Sequence, residues 1–289
     1  MSRTEFSLLR RRLLGAASVV VVSAPWLAQA APQGTFIERT LHKPVPGGVA
    51  VVDLGELAQA PHVTFNGYRV LVVRDADQRW KAIVGIDLKT AAGRHGLTVQ
   101  GAQPVSFQVG SKRYREQRIT LKNKAHVNPD PQQQARFERE YKEQMDAYAS
   151  FRPEGPSNVV FDKPVPGRLT SPFGLRRFFN GEERNAHSGL DFAAPTGTAI
   201  KVPADGVVTI VADYFFNGKT VFVDHGQGLI TMYCHLSAFD VRKGDTVRKG
   251  DVLGRSGATG RATGPHLHWN VSLNNARVDP AIFIGAFQP

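Results

Sequence analysis

Three short histidine motifs near the C-terminal end of this chain carry the side chains best suited to chemistry. They are His187-Ser-Gly-Leu-Asp191, Tyr233-Cys-His235-Leu-Ser237 and His266-Leu-His268. Only nine histidines occur in the 289 residues, and four of them fall within these motifs. Imidazole and carboxylate groups are ligands that zinc prefers at catalytic sites, and an imidazole that is not a ligand can serve as a base. The motifs therefore predict a catalytic zinc site that hydrolyses an amide bond.

The spacing of these residues predicts how local structure positions them. The run around His266 and His268 indicates a strand, in which residues two apart share one face at a separation of roughly 7 Å. One of the two can therefore bind a metal while the other stands beside it. A glycine between His187 and Asp191 and a proline soon after argue against a helix, so a turn leading into a strand is expected there. His235 follows another β-prone run and can reach the others only through the fold.

Cys234 is the single cysteine of the chain, so no intramolecular disulfide can form. Because it lies next to His235, metal ligation is one interpretation. The alternation of side chains along a strand favours another, in which Cys234 is a small buried residue that faces away from its neighbour.

The first 30 residues predict a secretory signal peptide. A segment with four arginines ends at Arg12, an apolar run follows from Leu13 to Ala24, and Ala28-Gln29-Ala30 has the small-x-small form of a cleavage site. A retained membrane anchor is the alternative, but the apolar run is shorter than the ~20 residues that span a bilayer. Both the twin-arginine and the general secretory routes stay open. The chain is therefore expected to be exported to a bacterial periplasm, with no stable membrane span after cleavage.

The formal net charge of the chain is +11. A basic exported protein is attracted to anionic polymers. Outside the cytoplasm the bacterial wall and its anionic decorations are the expected partner, and nucleic acid is not. The alternative is that the charge serves solubility alone, and no feature of the sequence predicts an oligomeric state.

The mature chain is predicted to be mostly β, in two parts joined by a helix. Residues 31–127 contain about seven short β-prone runs separated by turn signals, which is typical of an immunoglobulin-like β-sandwich. Residues 128–157 are predicted to form a helical linker, because helix formers there carry an apolar stripe between two proline-containing ends. Residues 158–289 are β-rich again and contain the three histidine motifs.

A short repeat suggests one rival hypothesis. Val241-Arg-Lys-Gly-Asp245 recurs as Val247-Arg-Lys-Gly-Asp251, and Gly-Asp turns between valines predict tight hairpins. Lipoyl and biotinyl carrier domains use similar turns. Such domains present a modifiable lysine at a hairpin tip, which is not evident here, and a carrier function leaves the histidine motifs unexplained.

Residues 165–280 resemble the lysostaphin/LytM-type zinc endopeptidases. The first part is similar to the β-sandwich that precedes this peptidase domain in some Gram-negative periplasmic members. The His-Glu-x-x-His signature of thermolysin-like enzymes is absent from the sequence. The matching segments are Phe173-Gly174-Leu-Arg176, His187-Ser-Gly-Leu-Asp191, Gly206-x-Val208, Tyr233-x-His235-Leu-Ser237, Gly244-Asp245, Gly257-x-Thr259-Gly260 and Gly264-Pro265-His266-Leu-His268.

The resemblance implies a LytM-type peptidase domain over residues 158–289, with one zinc ion per chain. The implied ligands are His187, Asp191 and His268. His235 and His266 are the implied catalytic pair that does not bind the metal. One of the pair takes the proton of the attacking water, and the other stabilises the oxyanion or protonates the leaving amine. Which residue has which role stays open at this point.

The substrate implied by the resemblance and the compartment is a peptide crosslink or stem peptide of peptidoglycan. For a wall without glycine bridges, a D-alanyl–meso-diaminopimelyl crosslink is the expected bond. A non-catalytic peptidoglycan-binding activator of other wall hydrolases is the alternative function. The first part is expected either to block the cleft or only to dock the enzyme. Phe178, Phe179 and Asn180 are expected to form a loop over the cleft or to pack against that first part.

Overall fold

The structure is a computed structural model that describes residues 34–120 and 130–288. The predicted signal peptide, residues 1–30, lies outside the described residues. Within them the chain is mostly β, as the sequence predicts. Neither α-helix in the described part of the chain has the length and apolar composition that a membrane crossing requires.

The N-terminal part begins with a short helix that has a capping box. The Thr35 side chain accepts a hydrogen bond from the Glu38 backbone, and the Glu38 carboxylate accepts one from the Thr35 backbone. Strands follow at short intervals. The elements are α1 (Phe36–Leu41), β1 (Val49–Gly55), β2 (Val63–Phe65), β3 (Tyr68–Arg69), β4 (Leu71–Arg74), β5 (Trp80–Gly85), β6 (Gly93–Val99), β7 (Val105–Val109) and β8 (Glu116–Ile119).

The C-terminal part follows a second helix and is built from short and medium-length strands. A single-turn 3-10 segment closes it. The elements are α2 (Pro131–Ala149), β9 (Leu169–Ser171), β10 (Arg176–Phe179), β11 (Glu182–Glu183), β12 (Leu190–Ala193), β13 (Ala199–Lys201), β14 (Gly206–Tyr214), β15 (Gly218–Asp224), β16 (Ile230–Leu236), β17 (Ala238–Phe239), β18 (Thr246–Val247), β19 (Val252–Arg255), β20 (His266–Leu273), β21 (Ala276–Val278) and the 3-10 segment Pro280–Ile282.

The three-stranded sheet β1-β5-β4 is buried on both faces. Ala50 and Val52 of β1 pack with residues of the four-stranded sheet β3-β2-β6-β7, while Val49 and Val51 pack with the C-terminal part. A strand that is covered on both sides needs no polar face, which explains why all four of these positions are apolar. The two sheets share a core as the predicted sandwich requires, and the immunoglobulin-like topology stays a prediction.

Polar contacts also join the N-terminal part to the C-terminal part. Asn274 Oδ1 accepts a hydrogen bond from the Gly85 N–H at 2.7 Å, and Asn274 Nδ2 donates to the Gly85 carbonyl at 3.0 Å. Gln227 Oε1 accepts from the Val72 N–H at 3.0 Å. Residues from Gly34 onward accordingly form one compact unit. The domain boundaries expected at residues 127 and 157 stay predictions.

Helix α2 lies within the segment for which the sequence predicts a helix. Asp130 caps its N-terminus, since the Asp130 carboxylate accepts a hydrogen bond from the Gln133 N–H at 2.8 Å. Near its C-terminus, Tyr148 is buried against Phe222 and donates its hydroxyl to Met232 Sδ at 3.3 Å. The helix is therefore held on the sheet of the C-terminal part.

An eight-stranded sheet carries the three histidine motifs. Its strand order is β18-β14-β15-β16-β20-β12-β9, with β21 paired to β20. Strands β16, β20 and β12 are antiparallel neighbours. Because each motif lies on or just before one of these three strands, the sheet brings motifs that are distant in sequence to one place. Tyr233, Phe192 and Trp269, which lie on these three strands, are fully buried.

His225, which lies outside the motifs, is one of the most buried polar residues described. Its Nδ1–H donates to the Asp205 carbonyl at 2.9 Å, and its Nε2 accepts from the Thr231 hydroxyl at 2.8 Å. Burial lowers the pKa of His225 to about 4. The folded protein therefore holds this imidazole neutral at neutral pH.

We expect the His225→Gln variant to lose less stability than the wild type when the pH falls from about 7.5 to about 4.5. A histidine in the unfolded chain has a pKa of about 6.5. Between the two pKa values the unfolded state binds a proton that the folded state does not, so the stability of the wild type decreases as the pH falls. That linkage amounts to about 2–3 kcal/mol over this window. Urea unfolding at both pH values measures the free energy of unfolding.

The matched control is His62→Gln, because His62 is exposed. This control should keep the pH dependence of the wild type. A His225→Gln variant whose free energy of unfolding falls as steeply as that of the control contradicts the linkage.

Candidate active site

Strand register places two of the predicted ligands face to face. Asp191 on β12 is directly opposite His268 on β20 in the antiparallel pair, and side chains of such a pair lie about 5 Å apart on one face. His266 is opposite Ala193 in the same pair and shares the face of His268. His187 precedes β12 in an irregular segment, where its N–H donates to the Leu175 carbonyl at 2.9 Å and its carbonyl accepts from the Gly174 N–H at 2.7 Å. The strand positions that the motif spacing predicts are therefore present, and a bend at Gly189 stands where the turn before β12 was expected.

Two imidazole nitrogens and one carboxylate oxygen converge at this point. His187 Nε2 lies 3.0 Å from both Asp191 Oδ1 and His268 Nδ1, and His268 Nδ1 lies 2.8 Å from Asp191 Oδ1. Tetrahedral ligands 2.0–2.1 Å from a zinc ion are separated by about 3.3 Å, so the observed spacing is close to that of a zinc site. Within residues 34–120 and 130–288, His187, Asp191 and His268 form the group of histidine and acidic side chains whose spacing could hold a metal ion.

The protonation states of the three residues suit a bound cation. His187 Nδ1–H donates to the Pro172 carbonyl at 2.7 Å, which leaves the Nε2 lone pair directed at the cluster. Burial lowers the pKa of His268 to about 4, so this imidazole is neutral. Burial alone raises the pKa of the Asp191 carboxyl, but positive charge beside it, on a protonated His187 first and on His268 second, outweighs burial and holds that pKa well below its usual range. Lone pairs about 3 Å apart repel one another, and a cation between them removes that repulsion.

Arg177 on β10 contacts the Asp191 carboxylate. The sequence did not reveal this contact. Its Nη2 donates to Asp191 Oδ2 at 3.3 Å and to Ser171 Oγ at 3.4 Å, and its Nε donates to Gln117 Oε1 at 3.1 Å. Gln117 belongs to β8 of the N-terminal part, which pairs in parallel with β10 so that Gln117 lies opposite Arg177. The N-terminal part therefore supplies a residue to the surroundings of the site. Only the pairing of segments 60 residues apart creates this contact.

His235 and His266 stand beside the three converging residues. Their ring centroids are 4.7 Å apart, and the His235 ring is 6.2 Å from the His268 ring. His235 Nδ1–H donates to the Thr259 carbonyl at 2.8 Å, and His266 Nδ1–H donates to the Gly264 carbonyl at 2.7 Å. Nε2 is therefore the nitrogen of each neutral ring that carries a lone pair and can accept a proton.

The backbone of His235 is in the left-handed region, with a φ of 63°. The register between β15 and β16 shifts at this point, which marks a β-bulge. A bulge redirects the side chains that follow it, and bulges are enriched beside active sites. Burial lowers the pKa of His235 to about 3, with further contributions from the charges of His266 and His268.

Cys234 lies among apolar residues and is not one of the three converging side chains. It is fully buried in a cluster with Tyr148, Phe222 and Met232, and Asn217 Nδ2 donates to its Sγ at 3.3 Å. Burial raises the pKa of the thiol to about 12. Because thiolate rather than thiol binds zinc, this environment favours the structural interpretation of Cys234 over metal ligation.

The segment around Phe178, Phe179 and Asn180 forms a hairpin and not a loop. Strands β10 and β11 pair, and Asn180 and Gly181 form the two-residue turn between them with φ values of 52° and 90°. Asn-Gly is the sequence that favours this kind of turn. Phe179 is buried and lines the cleft beside the histidines.

A cleft of about 350 Å³ opens beside the five predicted site residues. His235, His266, His268 and Asp191 line it, whereas His187 lies deeper. A shallower groove of about 710 Å³ between β1 and β7 is larger but contains none of the motif residues. The remaining residues that line the smaller cleft are Gln117, Ile119, Thr170, Ser171, Arg177, Phe179, Ala193, Arg261, Ala262, Thr263, Gly264 and Pro265.

The chain belongs to peptidase family M23. Residues 185–280 match the profile of peptidase family M23, and residues 42–112 match that of the peptidase family M23 N-terminal domain. A crystal structure from Pseudomonas aeruginosa described as a peptidase M23 is 55% identical in sequence and superposes with a TM-score of 0.76. The alignment covers 88% of this chain and 100% of the Pseudomonas aeruginosa chain. These findings confirm the family relationship that the motifs indicate.

Two curated relatives are similar to a part of this chain. The DD-carboxypeptidase/endopeptidase Mpg of Neisseria meningitidis serogroup B is 43% identical over 113 residues, and the peptidoglycan DD-endopeptidase ShyA of Vibrio cholerae is 41% identical over 113 residues. Each alignment covers 39% of this chain. The match spans 26% of the length of each of these relatives.

Proposed function

We propose that this chain is an exported, zinc-dependent endopeptidase that hydrolyses peptide crosslinks of bacterial peptidoglycan in the periplasm. The convergence of His187, Asp191 and His268 beside the His235–His266 pair carries the proposal. The relatives described as DD-endopeptidases support peptidoglycan as the substrate. A D-alanyl–meso-diaminopimelyl crosslink is the proposed bond.

Zinc is the proposed cofactor because the donor set and its spacing fit it. When bound by His187, Asp191 and His268, zinc supplies a Lewis acid for the scissile carbonyl and lowers the pKa of water to about 7. Asp191 offsets one unit of the metal charge through Oδ1. Arg177 holds the other oxygen, Oδ2, so the orientation of the carboxylate is set before any substrate arrives.

In this proposal His266 transfers the proton and His235 orients the attacking water. His266 is less buried than His235, so water and substrate reach it more readily, and we assign the general base to His266 Nε2. It accepts a proton from the attacking water and delivers it to the amide nitrogen as the C–N bond breaks. The hydroxyl stays on the carbonyl carbon. The neutral His235 has its hydrogen on Nδ1, so its Nε2 accepts a hydrogen bond and orients the attacking water.

Digestion of purified sacculi tests the proposed function. The zinc-loaded chain without its first 30 residues should release soluble muropeptides whose masses correspond to cleaved crosslinks. A chelator should stop the release, and added zinc should restore it, because hydrolysis depends on the metal.

A parallel incubation with an added wall hydrolase distinguishes the proposed peptidase from the alternative, a non-catalytic activator of other wall hydrolases. An activator increases release only when that hydrolase is present and releases nothing alone. Absence of zinc-dependent release by the chain alone, or full release after metal removal, contradicts the proposed peptidase.

A further inference from the structure

We propose that Arg261 forms an anion subsite that binds the carboxylate on the amine side of the scissile amide. This inference rests on the proposed function and specifies the substrate more closely. It assigns the subsite to a residue outside the histidine motifs.

Arg261 lies in the same cleft as the histidine pair and the predicted ligands. Its guanidinium carbon is 4.3 Å from the ring centroid of Phe216 and 4.8 Å from that of Phe179. A guanidinium that stacks on aromatic faces is held in position while the N–H groups at its edge stay in the plane in which a carboxylate binds. The two rings therefore orient Arg261 for bidentate recognition.

The backbone of Arg261 is also held in place. Its N–H donates to the Phe216 carbonyl at 2.8 Å. Gly260 has a φ of 68°, and a Cβ at this position would lie 2.3 Å from the Gly218 nitrogen, so the chain approaches its neighbour as closely as only glycine allows. Thr259 accepts a hydrogen bond from the Lys219 N–H at 2.9 Å. A group on so constrained a segment can recognise its ligand without first being ordered.

The charges in the cleft favour an anionic ligand. Among the described residues that line it, Asp191 is the one acidic side chain, whereas Arg177 and Arg261 are both cationic. Burial, with smaller contributions from Arg177 and Arg184, lowers the pKa of Arg261 to about 10. The guanidinium therefore keeps its charge at neutral pH, and a carboxylate that binds beside it gains a charge-assisted contact.

Arg261 is a better candidate than Arg177 for this role. Arg177 already makes hydrogen bonds to Asp191, Ser171 and Gln117, so it positions the metal-site carboxylate. Arg261 instead packs on the rings of Phe179 and Phe216 within the cleft. The structure thus divides the two arginines between the metal ligand and the substrate.

The chemistry of the proposed crosslink supplies the matching group. The carbon bonded to the amide nitrogen of a D-alanyl–diaminopimelyl bond carries a carboxylate. A charge-assisted bidentate contact to this carboxylate would hold the residue that directly follows the scissile carbonyl. Loss of such a contact typically costs about 10- to 100-fold in binding or in kcat/KM.

A crosslinked muropeptide and its analogue with that carboxylate converted to a carboxamide test the subsite. We expect the wild type to cleave the carboxylate substrate with a kcat/KM about 10- to 100-fold higher than that for the carboxamide analogue. Arg261→Gln should lose about the same factor on the carboxylate substrate, and the substitution and the amidation together should cost no more than either alone. Arg261→Lys should restore part of the preference, because it keeps the charge without the fork of donors.

The matched control is Arg248→Gln, which removes the same charge from an exposed position outside the cleft and should keep the preference of the wild type. Equal loss on both substrates in Arg261→Gln, or equal cleavage of both substrates by the wild type, overturns the subsite and leaves the peptidase intact. The affinity of the released diaminopimelate peptide and of its carboxamide for the zinc-loaded full chain gives a second readout. If the wild type cleaves neither substrate, the proposed function fails, and this affinity comparison still decides the subsite.

Discussion

Replacing His187 with alanine, or Asp191 with asparagine, is expected to remove zinc and abolish hydrolysis together. His187→Ala takes away one of three donor atoms that lie 2.8–3.0 Å apart, and Asp191→Asn replaces the charged carboxylate donor among them by a neutral amide. Losing an outer partner of a ligand typically costs about 10- to 100-fold in affinity or activity, and losing a ligand itself should cost more. Zinc content after dialysis and muropeptide release from sacculi measure the two effects.

The control for these variants is His62→Ala, an exposed histidine of the N-terminal part. It should keep one zinc ion per chain and full activity. Asp191 is also a hydrogen-bond partner of Arg177, so its substitution could disturb the fold as well as the metal site. Far-ultraviolet circular dichroism of each variant distinguishes loss of fold from loss of metal. A folded His187→Ala or Asp191→Asn variant that keeps tightly bound zinc shows that the assigned ligands are wrong.

His266→Ala and His235→Ala are expected to keep zinc and to lose hydrolysis by about 10²- to 10⁴-fold, the usual contribution of a positioned acid or base. Both rings lie beside the ligand cluster without contributing an atom to it. We expect the larger loss for His266→Ala, because the proton that moves to the amide nitrogen passes through this residue in the proposed mechanism. Zinc content and kcat/KM on a crosslinked muropeptide distinguish these variants from the ligand variants.

The comparison between the two histidines tests the role of each. His235 donates its Nδ1–H to the Thr259 carbonyl. Removal of its ring leaves that carbonyl without this donor, and activity falls because the attacking water is no longer oriented. Full activity in His266→Ala eliminates it as the base. A larger loss in His235→Ala than in His266→Ala exchanges the two assignments.

The sequence by itself was sufficient for the local features of the site. The spacing of His266 and His268 places them on one face of a strand because side chains alternate with a period of two. The proline-flanked run of helix formers predicts α2, whose observed bounds are Pro131–Ala149. These features depend on neighbours within a few residues, and the sequence records such neighbours directly.

Only the tertiary structure decided how the distant segments meet. The pairing of β8 with β10 brings Gln117 to Arg177, and Arg177 to Asp191. The bulge in β16 places His235 beside His266. No local periodicity encodes these contacts, because strand register is set by which apolar faces are buried together across the whole fold. The contacts around the predicted metal ligands, and the presence of Arg177 and Arg261 in the cleft, therefore follow only from the assembled strands.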